Sequence, residues 1–569
     1  MKGNLSASGD VVSEPRPSRG QPGSQQVGGV RARLARSPFG AARLRDYWLT
    51  APGIVMLIAT VLAVGIRLFT LTRAGYLRGI TEYDDGVYIG GALRLIEGQL
   101  PYKDFAFIQP PGILLLMTPV ALIAKITTTV KGLALARVLT VLASAACVPL
   151  VGNLVRYRGA VVTLVTCGAL AVYPGDITTA HTLMLEPWMN LFCLLGVNAA
   201  FRRGHLARPG RLMWAGLALG FAGVIKFWAI APAAVLLVLC LTDRKERGRR
   251  TGAYMGALAA GFVLPMLPFL TSAPMTFIRS TVTDQAVRAG SSVSTGIRLA
   301  NLTGLIDILN NQGQVTLNAG AHSMFAAGAS AGLGSSSSLG WLPILAAALL
   351  AGVIAAGYIW QGRRLSQLEV LSLATAVLAC AAILIYSAFF YHYPDFPAPW
   401  LALSLGGAAG ALAGYPKVRA IFVRAFAVLI VLIAALQIRE TFPLQQTTGE
   451  SRAFLIPPGS CLVTDQASLA VAADRFAGRP PGCPDIVDAL AATLVLSHGV
   501  SVQGGAEDMP QVVAAWQSWL GKADYVWLSP NNARRIPWTP ALTAWFDAHF
   551  TKLGWYNVTT GQIYARTTP

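Results

Sequence analysis

The sequence of 569 residues has few charged residues: 12% are Asp, Glu, Lys or Arg, whereas 54% are hydrophobic. The mean hydropathy is +0.53, and apolar runs of about 16 to 23 residues recur along the chain, which excludes a set of soluble domains. The sequence also has no P-loop pattern and no strand-linked G-x-G-x-x-G, so it offers no nucleotide-binding fingerprint. These shortages predict an α-helical polytopic membrane protein.

Cysteine is scarce as well. Five of the seven cysteines lie in apolar runs, and only Cys461 and Cys483 lie in the more polar C-terminal part. In an oxidising compartment these two could form a bridge. We predict a Cys461–Cys483 disulfide; two free thiols are the alternative.

Acidic residues are fewer than basic ones, 26 against 45, which gives a formal charge of +19. Such a charge could suggest a nucleic-acid partner. However, the basic residues fall in short clusters between apolar runs and in the first 45 residues, which is typical of a topology signal. Residues 1–46 have no apolar core and are rich in Gly, Pro, Ser and Arg, so we predict a disordered basic cytoplasmic tail and not a cleaved signal peptide. The predicted partner is the lipid bilayer, with no nucleic acid.

The positive-inside rule orients the apolar runs of residues 47–439. Placing each basic loop in the cytoplasm gives about eleven spans, with the N-terminus inside and the C-terminus outside a bacterial plasma membrane. Residues 73–132 then form one external loop. The apolar segment within it has about 14 residues, short for a full span, and is predicted to dip into the membrane or to lie at its surface.

The last part of the chain, residues 440–569, changes character. Short β-like runs such as "CLVTD" and "YVWLS" alternate with helix-like segments, which predicts a small extracytoplasmic α/β domain. The Ser-rich stretch 332–340 is interpreted as a flexible connection.

The first external loop holds five acidic residues, Glu82, Asp84, Asp85, Glu97 and Asp104, in a chain with few charged residues. Adjacent carboxylates such as Asp84 and Asp85 raise each other's pKa in a confined cleft. A carboxylate there could accept a proton from an attacking hydroxyl or could hold a metal ion. The plainer interpretation is a solvated loop carboxylate.

Three further ionisable residues are predicted to lie at the same membrane boundary, where such residues are costly unless they are paired or used. They are Glu186 at the start of a span, Lys226 at the end of another, and His392 between two tyrosines. Each has a plain alternative: a helix cap, a lysine that reaches the lipid headgroups, or a member of an aromatic belt. Together they would supply acids, a base and a cation for a lipid-phosphate substrate.

Several motifs resemble the GT-C superfamily of glycosyltransferases, particularly its protein O-mannosyltransferase and lipid A aminoarabinose transferase branch. The first external loop, "EYDDGVYIGGALRLIEGQLPYKDFAFIQPPG", carries the resemblance most clearly. The segments "LEPWMNLFCLL", "GLALGFAGVIK" and "YHYPDFPAPWLAL" resemble later motifs of that branch. The acidic pair here is Asp-Asp, where Asp-Glu is commoner in the branch.

The resemblance implies a membrane enzyme that moves a sugar from a polyprenyl-phosphate carrier to a cell-envelope glycan, lipid or protein acceptor at the outer face. Asp84 would deprotonate the acceptor, and Asp85 would orient Asp84 or a neighbouring cation. Lys226 and His392 would meet the carrier phosphate. No cofactor is certain: a divalent cation is allowed, but no ligand spacing requires it. The full set of predicted substrate contacts is Glu82, Tyr88, Lys103, Asp104, Gln109, Glu186, Lys226, Tyr391, His392 and Tyr393.

Two alternatives belong to other functional classes. A transporter or flippase of lipid-linked sugars would use Lys226 and Glu186 as a relay, but it would need an internal repeat that the sequence does not show. An inactive relative could act as a scaffold, although the paired acids, Lys226 and His392 together argue against it.

Overall fold

The computed structural model describes residues 50–243, 246–286, 293–304 and 342–567. The predicted tail 1–46 and the Ser-rich connection 332–340 lie outside the described residues. Residues 51–569 belong to one compact unit, and the predicted domain division at residue 440 stays a prediction.

The chain is mainly helical. Helices before the first undescribed internal stretch are α1 (Ala51–Leu71), α2 (Tyr83–Ile96), α3 (Gly112–Ile126), α4 (Thr129–Val155), α5 (Ala160–Ala171), α6 (Pro174–Ala180), α7 (Leu185–Ala200), α8 (Pro209–Ile225) and α9 (Ile230–Thr242). Those that follow are α10 (Arg247–Ser272), α11 (Pro274–Ile278), α12 (Asp284–Ala286), α13 (Thr295–Thr303), α14 (Leu342–Gln361), α15 (Gln367–Ile385), α16 (Ala398–Ala409) and α17 (Pro416–Thr441). The C-terminal part adds α18 (Glu450–Ala453), α19 (Ala467–Ala472), α20 (Ala489–Leu496), α21 (Pro510–Leu520) and α22 (Pro540–His549).

Seven helices among the described residues are long and apolar enough to cross a membrane, by length and composition. The count rises to eight if α5 and α6, which meet at a 50° bend before Pro174, form one span; proline disfavours the helical conformation of the residue before it, which explains a break there. Three apolar helical segments are shorter: α3, α8 and Phe227–Thr242. Of these, α3 corresponds to the short apolar segment predicted within residues 73–132. The polytopic helical fold class is therefore confirmed, whereas sidedness stays a prediction.

The C-terminal part contains the larger of the two sheets in the described residues. Its four strands are β3 (Leu462–Thr464), β4 (Tyr525–Leu528), β5 (Phe550–Asn557) and β6 (Gly561–Arg566), in the order β3-β4-β6-β5. β3 and β4 are parallel and the other pairs are antiparallel. A two-stranded hairpin, β1 (Phe201–Arg202) with β2 (His205–Leu206), follows α7.

The α/β part and the first loop approach each other closely. A Cβ at Gly75 would lie 1.8 Å from the carbonyl oxygen of Gln446, and Gly75 has a φ of +77°. A Cβ at Gly86 in α2 would lie 1.9 Å from the backbone nitrogen of Ser468 in α19. Only glycine fits such backbone contacts without a shift. The helix α2, whose first turn carries Asp84 and Asp85, is thus packed directly against the C-terminal part.

Candidate active site

Asp85 lies on the first turn of α2, and both of its carboxylate oxygens are bonded. Its Oδ2 accepts from Arg137 Nη2 at 2.5 Å and from the Thr81 hydroxyl at 2.8 Å. Its Oδ1 accepts from the backbone N–H of Leu183 at 2.6 Å. Asp85 and Arg137 are 0% exposed. Asp85 therefore ties α2 to α4 and to the segment before α7.

Arg137 was not named by the sequence analysis. It is a lone arginine inside the apolar run of α4, and a charged residue at that depth is costly unless it is paired. Its guanidinium also donates to the carbonyl oxygens of Tyr76, Leu77 and Gly79. The isolated arginine in an apolar run was the signal that could have found this partner.

Three predicted residues from distant parts of the chain meet in one buried cluster. Glu186 Oε1 bonds the ammonium group of Lys226 and lies 2.9 Å from His392 Nδ1. Glu186 is 0% exposed, and its second oxygen, Oε2, is buried with no hydrogen-bond partner. We call these three residues the phosphate cluster, after the role proposed below.

The sequence positions these residues through helix ends. Glu186 is in the first turn of α7, and Lys226 is the residue at which α8 ends. His392 comes directly before the short 3-10 turn Tyr393–Asp395. The Lys226 ammonium lies over two aromatic rings, 4.2 Å from the centroid of Trp228 and 4.3 Å from that of Tyr393. Both rings favour a positive charge at this point.

Tyr88 is a buried residue of α2 that is influenced by the charges of both the acidic pair and the phosphate cluster. Its position on α2 is one turn after Asp84, and it is 2% exposed. Burial raises the pKa of Tyr88 well above its usual range, and the negative charges of Asp84 and then Glu186 raise it further. The charges of Asp84 and Glu186 therefore both lie within electrostatic range of the Tyr88 hydroxyl.

A hydrogen bond joins the first loop to the segment that carries His392. The Tyr391 hydroxyl donates to Glu82 Oε2 at 3.1 Å. Burial, together with the neighbouring charge of Asp84, raises the pKa of Glu82 to about 8. At neutral pH the neutral form of Glu82 therefore predominates, so that Asp84 has one fewer negative neighbour.

Solved structures provide a comparison for this arrangement of helices. The fold is similar to that of ArnT from Cupriavidus metallidurans, with a TM-score of 0.52 for its apo structure and 0.53 for its structure bound to undecaprenyl phosphate. Each alignment has 14% identity and covers 90% of this chain and 97% of that chain. The chain has the GT-C fold. The arabinofuranosyltransferase AftD from Mycobacteria aligns with a TM-score of 0.46 and 14% identity, over 90% of this chain and 40% of that one. The sequence matches no protein-family model and no curated protein.

Within this GT-C fold, three of the predicted substrate contacts lie apart from the phosphate cluster. Lys103 and Asp104 are exposed, and Asp104 accepts the backbone N–H of Leu100 at 2.8 Å. The carbonyl oxygen of Gln109 accepts the Tyr102 hydroxyl. No contact in the described ranges joins these side chains to Glu186, so their role in substrate binding stays a prediction.

The C-terminal part contacts the acidic loop through Tyr83, the residue before Asp84. The Tyr83 hydroxyl donates to Asp488 at 2.7 Å, and the Arg535 guanidinium lies 4.1 Å from the Tyr83 ring centroid. Arg535 is itself bonded to the buried Asp465 at 2.8 Å. The sequence analysis named none of these partners, because nothing in the local sequence links positions so far apart.

Cys461 and Cys483 form a disulfide in the structure, with a Cα–Cα distance of 5.4 Å. In the described ranges no group of three or more His, Cys, Asp or Glu side chains could hold a metal ion. The mechanism proposed below uses only the protein side chains.

Proposed function

We propose that this protein is a glycosyltransferase that moves a sugar from a polyprenyl-phosphate carrier to a cell-envelope or protein acceptor at the outer face of the membrane. The observation that carries the proposal is the buried phosphate cluster in a GT-C fold, with the charges of Glu186 and Asp84 both within electrostatic range of Tyr88. Undecaprenyl phosphate is the ligand of a solved ArnT structure, which supports the same class of carrier here.

Lys226 and His392 are proposed to hold the carrier phosphate. Lys226 supplies a compact positive charge. A carboxylate can only accept, so Glu186 receives the Nδ1–H of His392, and the doubly protonated ring, in which both nitrogens carry a hydrogen, donates its Nε2–H to the phosphate. Glu186 thereby orients both groups, and the phosphate takes up a site that already has two buried donors.

The transfer step then needs a base at the acceptor. The acceptor hydroxyl oxygen forms a bond to the anomeric carbon while the bond from that carbon to the phosphate oxygen breaks. Asp84 takes the hydroxyl proton, and the bonding electrons leave with the phosphate, whose added negative charge is stabilised by Lys226. Attack from the face opposite the phosphate would invert the anomeric centre.

Asp85 is proposed to position Asp84 without touching the substrate. Both of its oxygens are bonded within the protein, as described above, and its side chain is fully buried. It therefore fixes the first turn of α2, and Asp84 on the same turn projects from a rigid support.

The test uses the purified full chain in lipid nanodiscs with a panel of radiolabelled polyprenyl-phosphate sugars and envelope acceptors. Asp84→Asn keeps the volume and hydrogen bonding of the side chain but removes the base, so turnover should fall by about 100-fold or more. Binding of undecaprenyl phosphate should persist, because the phosphate cluster is intact. Asp508→Asn, at an exposed carboxylate in the C-terminal part, is the matched control and should retain turnover.

Two results would contradict the proposal. Wild-type turnover in Asp84→Asn would show that this carboxylate is not the base. Absence of transfer from every polyprenyl-phosphate sugar, by a protein that still binds undecaprenyl phosphate, would argue for a carrier-binding function without transfer.

A further inference from the structure

The described part of the α/β region, residues 442–567, exposes very few large hydrophobic side chains. Its exposed members are Phe442 (67%), Phe454 (71%), Trp555 (67%), Tyr556 (59%) and Val558 (78%). Four of the five are aromatic, and three lie at the tip of the hairpin formed by β5 and β6. A soluble surface would not be expected to collect its apolar groups in this way.

The chain segments that carry these five residues contact one another. Leu455, next to Phe454, is the first neighbour that a Cβ at Gly554 would meet, at 3.3 Å. Arg452 donates to the carbonyl oxygen of Trp555 at 2.6 Å. The hairpin tip is joined to the start of the region by the bond between the hydroxyls of Thr559 and Thr447, at 2.9 Å. We call these five side chains the aromatic patch.

The patch lies where two candidate spans end. Phe442 directly follows α17, the last candidate span. The Arg73 guanidinium, two residues after α1, lies 5.3 Å from the Phe442 ring centroid and 4.2 Å from that of Phe69. The backbone N–H of Gln446 donates to the carbonyl oxygen of Ala74 at 2.8 Å. The C-terminal ends of α1 and α17 therefore both lie next to the patch.

We propose that the aromatic patch inserts into the headgroup layer of the bilayer that the helices span. Tryptophan and tyrosine prefer this layer because their rings are apolar and their N–H and O–H groups can still meet water. β5 is an edge strand, so its tip can enter the layer without breaking the sheet. The continuity of the patch with α1 and α17 favours lipid over a separate protein partner.

The consequence is a second attachment of the α/β region to the membrane, in addition to the covalent link through α17. The hairpin would hold this region at a fixed height, and its helix α19 would stay packed on α2. The inference concerns the membrane surface and does not depend on the proposed transferase activity.

The test places a nitroxide label at residue 558 through Val558→Cys, in the full chain in phosphatidylethanolamine–phosphatidylglycerol nanodiscs. Collisions with oxygen, which partitions into lipid, are compared with collisions with a water-soluble nickel chelate. The control is Lys522→Cys, an exposed site beside Gly521, whose carbonyl oxygen bonds Arg566 at the end of β6 away from the hairpin tip. Unsubstituted protein is labelled in parallel to measure the signal from the native free thiols.

The label at 558 should show a higher ratio of oxygen to nickel collisions than the label at 522. A label at residue 454, introduced by Phe454→Cys on another part of the patch, should show the same high ratio as the label at 558. It replaces the 558 label if the Val558→Cys variant does not fold. Equal ratios at 454, 558 and 522 would overturn the proposal. Strong spin–spin broadening at 558 would also overturn it, because it would mean that a second copy of the chain covers the patch.

Discussion

Two buried acid–base clusters, one around Asp85 and one around Glu186, differ in how fully their carboxylates are used. Asp85 accepts bonds on both oxygens, from Arg137, Thr81 and the backbone of Leu183. Glu186 bonds Lys226 and His392 through one oxygen only, and its other oxygen is buried without a hydrogen-bond partner. In the Asp85 cluster, which we call the closed pair, protein groups bond both carboxylate oxygens. In the phosphate cluster, which we also call the open cluster, one oxygen of Glu186 is still available for a new hydrogen bond.

The difference separates structural and functional uses of buried charge. A buried ion pair does not stabilise a protein merely by being present, because desolvation offsets the attraction between the charges. A closed pair chiefly fixes the elements that it joins, here α2 and α4. A cluster with an unbonded carboxylate oxygen can still change its hydrogen bonds, and its buried lysine is the group that would meet an incoming anion. The following predictions test this contrast.

The largest effect is expected from breaking the closed pair. Asp85→Asn leaves the Arg137 charge buried without its counter-ion, which should lower the free energy of unfolding by about 3 to 5 kcal/mol. We expect a loss of folded protein, measured by size-exclusion chromatography and thermal unfolding in detergent. The double variant Asp85→Asn with Arg137→Met removes both charges and should recover much of the folded yield.

Glu186→Gln is the matched change in the open cluster. It should lower folded yield less than Asp85→Asn does, because Lys226 keeps its contacts with the Trp228 and Tyr393 rings. Equal losses from the two variants would show that the clusters do not differ in structural importance.

The next effect concerns ligand binding in the open cluster. Hydrogen bonds to charged groups contribute about 1.5 to 3 kcal/mol, so Lys226→Met should weaken undecaprenyl phosphate binding by about tenfold to a hundredfold. Titration of the purified protein in nanodiscs measures the Kd. Lys522→Met removes an exposed lysine and should leave the Kd unchanged. An unchanged Kd in Lys226→Met would place the phosphate elsewhere.

The smallest effect is a change of stability with pH at the edge of the site. Because the pKa of Glu82 is raised from 4.5 to about 8 in the folded protein, its folded state holds a proton that the unfolded state releases. The free energy of unfolding should therefore fall as the pH rises between these values. Glu82→Gln keeps an acceptor for Tyr391 but cannot ionise, so its unfolding temperature should fall less between about pH 4 and about pH 9, an interval that contains both pKa values.

Differential scanning fluorimetry across this pH range provides the measurement. Glu507→Gln, at an exposed glutamate, should follow the wild-type curve. Parallel curves for Glu82→Gln and the wild type would show that Glu82 does not take up a proton on folding.

The helical membrane fold was predictable from sequence because apolar runs with a few charged boundaries record the membrane environment in one dimension. The individual residues Glu186, Lys226 and His392 were also predictable, since an ionisable residue in or beside an apolar run is costly and so carries information. Residue type did not separate Asp84 from Asp85, which are adjacent and identical; only the family resemblance assigned them different roles.

The tertiary structure decided how these residues are paired. It placed Arg137 on Asp85, Arg535 on the ring of Tyr83, and Lys226 and His392 on one oxygen of Glu186. Sequence periodicity reports only whether a face is apolar, whereas these pairs join residues separated by 40 to more than 400 positions. The sequence therefore determined which residues must be paired or used. The packing of the helices decided which carboxylate is fully bonded within the protein and which keeps an unbonded oxygen.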